Sequence, residues 1–204
     1  QPQRFLTSRV ETLPRTGPYI GLLIGASNVS STDLVPSYSL GRAMELRLQR
    51  RLGLCDGVRL DVMIRSEGGI NFREFVETFE TFAALEGRAD LLIIALRDAL
   101  AEESENDFIQ LLHRLSQAAQ RYDTRMLFFD STGLQGMRSE GLRMRPPTVT
   151  RAIELMRQGG FHVIEPSETL LRESLEIVPF GCPPYNSHHA APWAVEYAAD
   201  VISD

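Results

Sequence analysis

The chain has no lysine: all 21 basic residues among its 204 are arginine. Schiff-base chemistry on a lysine amine is therefore excluded, and so is a Walker-type loop, which needs a lysine against the terminal phosphates. A GC-rich coding sequence accounts for the bias. Cysteine is nearly absent too. Cys55 and Cys182 are too few for a disulfide framework or a CxxC metal site. One bridge between them is the alternative to two unpaired thiols, which point to a reducing, cytoplasmic setting; the sequence begins Gln1-Pro2-Gln3 without Met, and no signal h-region is visible within it. No stretch approaches the roughly 18 apolar residues of a membrane span. Positive charge is outweighed by 27 acidic residues, leaving a net charge of -6. That argues against a dedicated nucleic-acid binder, whose affinity needs clustered positive charge. With 15 Gly and 11 Pro the chain is neither collagen-like nor low-complexity. What is present, 43% hydrophobic and 24% charged, suffices for one domain with a buried core. Residues 1–17 read as a polar surface lead-in and residues 18–204 as a single domain.

From Tyr19 onward, short apolar runs alternate with amphipathic stretches. Tyr19–Ile24, Val58–Ile64, Leu91–Ala95, Met126–Phe129 and Phe161–Ile164 read as strands. Leu40–Leu52 reads as a helix with Leu40, Met44, Leu46, Leu48 and Leu52 apolar, closed by Gly53. Phe72–Ala84, Phe108–Tyr122, Val149–Gln158 and Ala190–Ile202 complete the helices. Phe72 to Phe82 supplies a core stripe, as do Ile109, Leu111, Leu112, Leu115 and Ala118. Five strand–helix repeats with continuously apolar strands predict an α/β fold: a five-stranded parallel sheet between two helical layers, αβα and flavodoxin-like. Folds of this kind bind ligands beyond the carboxyl ends of the strands.

The first strand ends in Ile24-Gly25-Ala26-Ser27-Asn28-Val29. Ser27 stands at an exposed corner as a candidate nucleophile, with Asn28 beside it; the alternative is a helix cap, for which Ser and Asn are both favoured. It is not a G-x-S-x-G elbow, because position 29 is Val, and no G-x-G-x-x-G runs through Gly21 and Gly25. The second strand ends in Ser66-Glu67-Gly68-Gly69, where paired glycines would let backbone N–H groups approach an oxyanion, or would simply turn. The third ends in Arg97-Asp98, a charged pair at the rim or a surface ion pair. Asp130 and Ser131 end the fourth. Arg138, Arg143 and Arg145 follow in a Gly- and Pro-rich loop that would close over a site, bind an anion, or stay solvated. Near the C-terminus stands Tyr185-Asn186-Ser187-His188-His189-Ala190-Ala191-Pro192. Adjacent His side chains diverge and no H-x-x-x-H partner is present, so a general base explains them better than zinc. His113 and His162 fall within a helix and a strand and read as structural.

Together these blocks resemble the SGNH (GDSL-like) hydrolase superfamily. Its Gly-Asp-Ser block corresponds to Gly25-Ala26-Ser27, its second-strand Gly to Gly69 or Gly68, its Gly-x-Asn-Asp block to Ala95-Leu96-Arg97-Asp98, and its Asp-x-x-His block to Asn186-Ser187-His188-His189 with Pro192. The resemblance spans Tyr19 to Ile202 and implies the family's three-layer fold. It also implies a cofactor-free serine esterase acting on a small ester or acyl substrate. Ser27 would be the nucleophile, His189 the base in preference to His188, and Asn186 the group orienting the imidazole. The departures are specific: Ala26 replaces an Asp, Arg97 the oxyanion Asn, and Asn186 the triad acid. An amide orients an imidazole but cannot stabilise an imidazolium by charge. Arg97 would donate to an oxyanion and favour an anionic substrate. Acyl transfer, or ligand binding without catalysis, are the alternatives.

Overall fold

The computed structural model describes residues 18–25, 40–52, 57–64, 72–96, 104–130, 146–165 and 200, and among these strands and helices alternate strictly. The order is β1 (Tyr19–Gly25), α1 (Leu40–Leu52), β2 (Val58–Ile64), α2 (Phe72–Glu86), β3 (Leu91–Leu96), α3 (Glu105–Arg121), β4 (Arg125–Asp130), α4 (Pro147–Gln158) and β5 (Val163–Ile164). All strands are parallel and lie in the order β2-β1-β3-β4-β5. The α/β, flavodoxin-like sheet expected from the alternating pattern is therefore the observed one.

Strand parity divides the core in two. Leu22, Ile24, Leu92, Ile94, Leu96 and Phe128 pack on one side against α2, α3 and α4. Leu23, Ile93, Ala95 and Phe129 face the other side, where Ala43 and Met44 of α1 meet them. Because both faces are covered, the central strands carry apolar residues at every position instead of alternating. On the larger side the aromatic rings touch: Phe72 lies 4.7 Å from Phe108 and 6.4 Å from Phe128, and Phe161 meets Phe128 edge-on at 5.5 Å. On the smaller side α1 comes close to β2 because residue 41 is Gly; a Cβ there would sit 2.2 Å from Val62 Cγ2.

Several expectations are corrected. Leu46 is 41% exposed and Ile109 37% exposed, so neither belongs to its helix's inner stripe. At 100° per residue, Leu46 points away from Met44, and Ile109 is one step off the row Phe108, Leu111, Leu112, Leu115. Helix α3 begins at Glu105, not Phe108, because Ser104 caps it: its hydroxyl accepts from the Asp107 N–H at 3.2 Å. Helix α4 likewise starts at Pro147, two residues before Val149, a ring preset for the first turn. Strand β5 starts at Val163, not Phe161. Gly160, at φ 82°, and Phe161 close α4 in a Schellman motif, donating to the Arg157 and Met156 carbonyls at 3.0 Å. His113 lies in α3 as expected, while His162 directly precedes β5, and both are exposed; the His162 backbone carbonyl joins the sheet, accepting from Phe128 N–H at 3.2 Å.

The amino end of the sheet is tied by Asp90, which is 6% exposed. Its carboxylate accepts the Ile20 N–H at 2.8 Å and Arg88 Nε at 3.0 Å, while Arg88 Nη2 also donates to the Pro18 carbonyl at 3.2 Å. A charge buried to this depth needs such partners.

Candidate active site

The connectivity decides where a site can form. Helix α1, which follows β1, packs on one face of the sheet, and helix α3, which follows β3, packs on the other. β1 and β3 are neighbours, with Ile24 level with Ile94. The helices that follow these two neighbouring strands thus lie on opposite faces, and such a point in the strand order is the switch point at which sheets of this kind bind ligands.

The carboxyl end of the sheet is formed by Gly25, Ile64, Leu96, Asp130 and Ile164, the last residues of the five strands. Gly25 is level with Ile64, Leu96 with Asp130, and Phe129 with Ile164. Leu96 and Asp130 are both buried, the carboxylate residue at 4% exposure. Asp130 shares its face of β4 with Phe128, so it stands above the Phe72–Phe108–Phe128 rings. From the sequence it is no more than an acid at a strand end; its burial is what the structure adds.

All nine candidate site residues, Ser27, Asn28, Gly68, Gly69, Arg97, Asp98, Asn186, His188 and His189, lie outside the described residues. So do the Arg138–Arg145 loop, both cysteines and Gly53. By chain position Ser27 is two residues beyond the end of β1, Gly68 and Gly69 follow β2 by four and five, and Arg97 directly follows β3. Further along, Asp200 forms an ion pair with Arg47 of α1, which brings position 200 to the α1 side of the sheet.

Comparison with solved structures identifies this architecture. A protein from Slackia heliotrinireducens described as an SGNH hydrolase superposes with a TM-score of 0.57 at 14% identity, over 92% of this chain and 98% of its own. An esterase from Pseudoalteromonas, solved with monoethylphosphonate as inhibitor, gives 0.55 at 11% identity, over 89% and 93%. An acetyl xylan esterase from Geobacillus stearothermophilus gives 0.55 at 12% identity, over 91% and 94%. The fold is that of the SGNH hydrolases. No family model and no curated protein matches the sequence. Among the described residues no helix is long and apolar enough to cross a membrane, and no group of three His, Cys, Asp or Glu could hold a metal ion.

Proposed function

We propose that this chain is a serine esterase acting on a small, anionic ester. The observation that carries the reading is the switch point between β1 and β3, from which the segments bearing Ser27 and Arg97 depart. Solved structures titled as esterases share the fold over most of their length, which supports the same reaction class.

In the reaction, His189 takes the proton of Ser27 Oγ as that oxygen attacks the ester carbonyl carbon. The backbone N–H groups of Ser27 and Gly69, or of Gly68, hold the resulting oxyanion, and Arg97 adds a fixed positive charge. The intermediate collapses by breaking the bond to the alcohol oxygen, which leaves with the proton from His189. Water, deprotonated by the same imidazole, then attacks the acyl-enzyme and releases the acid and Ser27. Asn186 lies where the resemblance puts the group that orients His189, with His188, Asn28 and Asp98 beside the substrate.

The test is a fluorophosphonate probe followed by mass mapping, beside turnover of a short-chain nitrophenyl ester. Wild-type protein is expected to be labelled at Ser27 and to turn the ester over. Ser27→Ala should lose both, with turnover falling by roughly 10³-fold or more. Equal turnover in the two proteins would remove Ser27 as the nucleophile, and no labelling or turnover in either would leave a ligand-binding protein. The changes at Asn186 and Arg97 favour a second reading, acyl transfer: an added alcohol or amine then yields an acylated acceptor in place of free acid.

A further inference from the structure

Strand β2 borders the sheet: among the described residues it has a strand on one side only, β1. The Gly57 carbonyl accepts the Tyr19 N–H at 3.0 Å, so the backbone groups of Gly57 and, at period two, of Arg59 and Asp61 point toward β1. Those of Val58, Leu60 and Val62 point outward. An edge of this kind is a template for another strand, and a chain that stays apart from its copies needs something to blunt it.

One outward donor is held by a side chain. The Leu60 N–H donates to Glu45 Oε1 of α1 at 2.9 Å, and Arg42 Nη1 donates to the other carboxylate oxygen at 2.6 Å. The Glu45 side chain is 16% exposed, so the contact is sheltered from water. Gly41 and Glu45 stand one turn apart on the same face of α1. Gly41 lets the helix close on Val62, and Glu45 then arrives at Leu60, two residues back along β2.

The residues of the edge indicate which strand it would take. Val58-Arg59-Leu60-Asp61-Val62 is self-complementary about its centre. In an antiparallel pair with a second copy, Leu60 falls opposite Leu60, Arg59 opposite Asp61 and Val58 opposite Val62. Arg59 and Asp61 share one face of the strand, where they pair at 2.8 Å within the chain. Opposite charges facing each other across two strands stabilise the pairing, and like charges oppose it. Leu60 lies on the two-fold axis that such an isologous contact requires. Because its backbone points outward, the two copies of Leu60 would exchange both N–H···O bonds. That central donor is the one Glu45 holds.

We propose that Glu45 is a guard on the β2 edge, occupying the Leu60 N–H so that β2 cannot pair with the β2 of a second copy. Arg42 keeps the carboxylate aimed at its donor. Removing the carboxylate opens the centre of the edge, and the self-complementary strand then joins two chains by main-chain hydrogen bonds.

Sedimentation across a concentration series reads the self-association of each chain, with thermal melting as the check of folding. Glu45→Ala is expected to melt cooperatively and to self-associate at least about tenfold more tightly than wild type. Adding Asp61→Arg to that chain sets an arginine against Arg59 of the other copy and should return association to the wild-type level. Adding Glu77→Arg instead, the same charge change on the exposed face of α2, should leave the association in place. Unchanged association in Glu45→Ala overturns the guard. So does an association that Asp61→Arg leaves intact, or that Glu77→Arg abolishes equally, because another surface or net charge would then be responsible. If Glu45→Ala does not fold, Glu45→Met, similar in length but without a carboxylate, replaces it in every arm. If Asp61→Arg does not fold, Asp61→Asn replaces it and should weaken the association. Failure of both substitutions at either position makes that residue a determinant of folding and overturns the assignment.

Discussion

Gly41 shows how one missing side chain sets the position of a whole layer. Helix α1 reaches the sheet through Gly41, Ala43 and Met44, the latter two buried, while Leu46 two residues on is exposed. The contact is therefore made by the two smallest residues of the helix together with Met44, and its leucines do not all define it. A methyl group at position 41 would meet Val62 Cγ2 at 2.2 Å, far inside contact distance, and either the valine rotates or the helix lifts. Ala favours a helix over Gly by roughly 1 kcal/mol, so on propensity alone Gly41→Ala would stabilise. Overpacking opposes it with typically 1–3 kcal/mol, and because the clash lies at a helix–strand contact the steric term should win. Urea denaturation is expected to place Gly41→Ala about 1–2 kcal/mol below wild type; a midpoint at or above wild type would mean that Val62 yields freely.

Between elements, the layer of α2, α3 and α4 is laced by arginine–carboxylate pairs: Arg114 with Glu80 at 2.6 Å, and Arg151 with Glu105 at 2.8 Å. The hydrogen bond from Arg151 holds the Glu105 carboxyl below its ordinary value of 4.5. A depressed carboxyl contributes stability that is present above the ordinary value and lost as pH falls through it toward the lower folded one. Both side chains are solvated, so the contribution is small. Glu105→Gln should melt slightly below wild type at neutral pH and converge with it in acid; parallel melting curves across that range would show that the bridge adds nothing. These pairs are also where sequence reading falls short, since nothing local in Glu105 or Arg151 tells of a partner 46 residues away. Strands β1, β3 and β4 are legible because burial on both faces demands apolar runs, and the edge strand β2 because Val58, Leu60 and Val62 alternate with Arg59 and Asp61; β5 is shortened because Phe161 is recruited to close α4. The inner stripes are legible except where an apolar residue, Leu46 or Ile109, stands off the 3.6-residue period. The site is legible only as an order of short blocks at strand ends. The burial of Asp130 is a product of tertiary packing, which no single segment encodes.

At the scale of the molecule, the two ends of the parallel sheet carry different work. At the amino end, Asp90 gathers the Ile20 N–H, Arg88 and, through its own backbone carbonyl, the Arg125 N–H at 3.1 Å, joining β1, β3 and β4. The Thr124 hydroxyl adds a bond to the Ala89 carbonyl at 2.7 Å. At the carboxyl end stand the last residues of the strands, directly before the segments that bear the candidate site residues. If reaction chemistry resides at the second end, damage to the first should reach stability without reaching turnover, because a whole strand length of packed core separates them. In Asp90→Asn the Ile20 N–H keeps an acceptor, but Arg88 loses its charge partner, and the substitution should lower stability by roughly 1–3 kcal/mol. Below the melting transition, turnover of a nitrophenyl ester should stay within about twofold of wild type, since less than 0.5 kcal/mol would then reach the transition state. A large fall in turnover for Asp90→Asn would mean that the amino end also shapes the site, and the division of labour along the sheet would have to be abandoned.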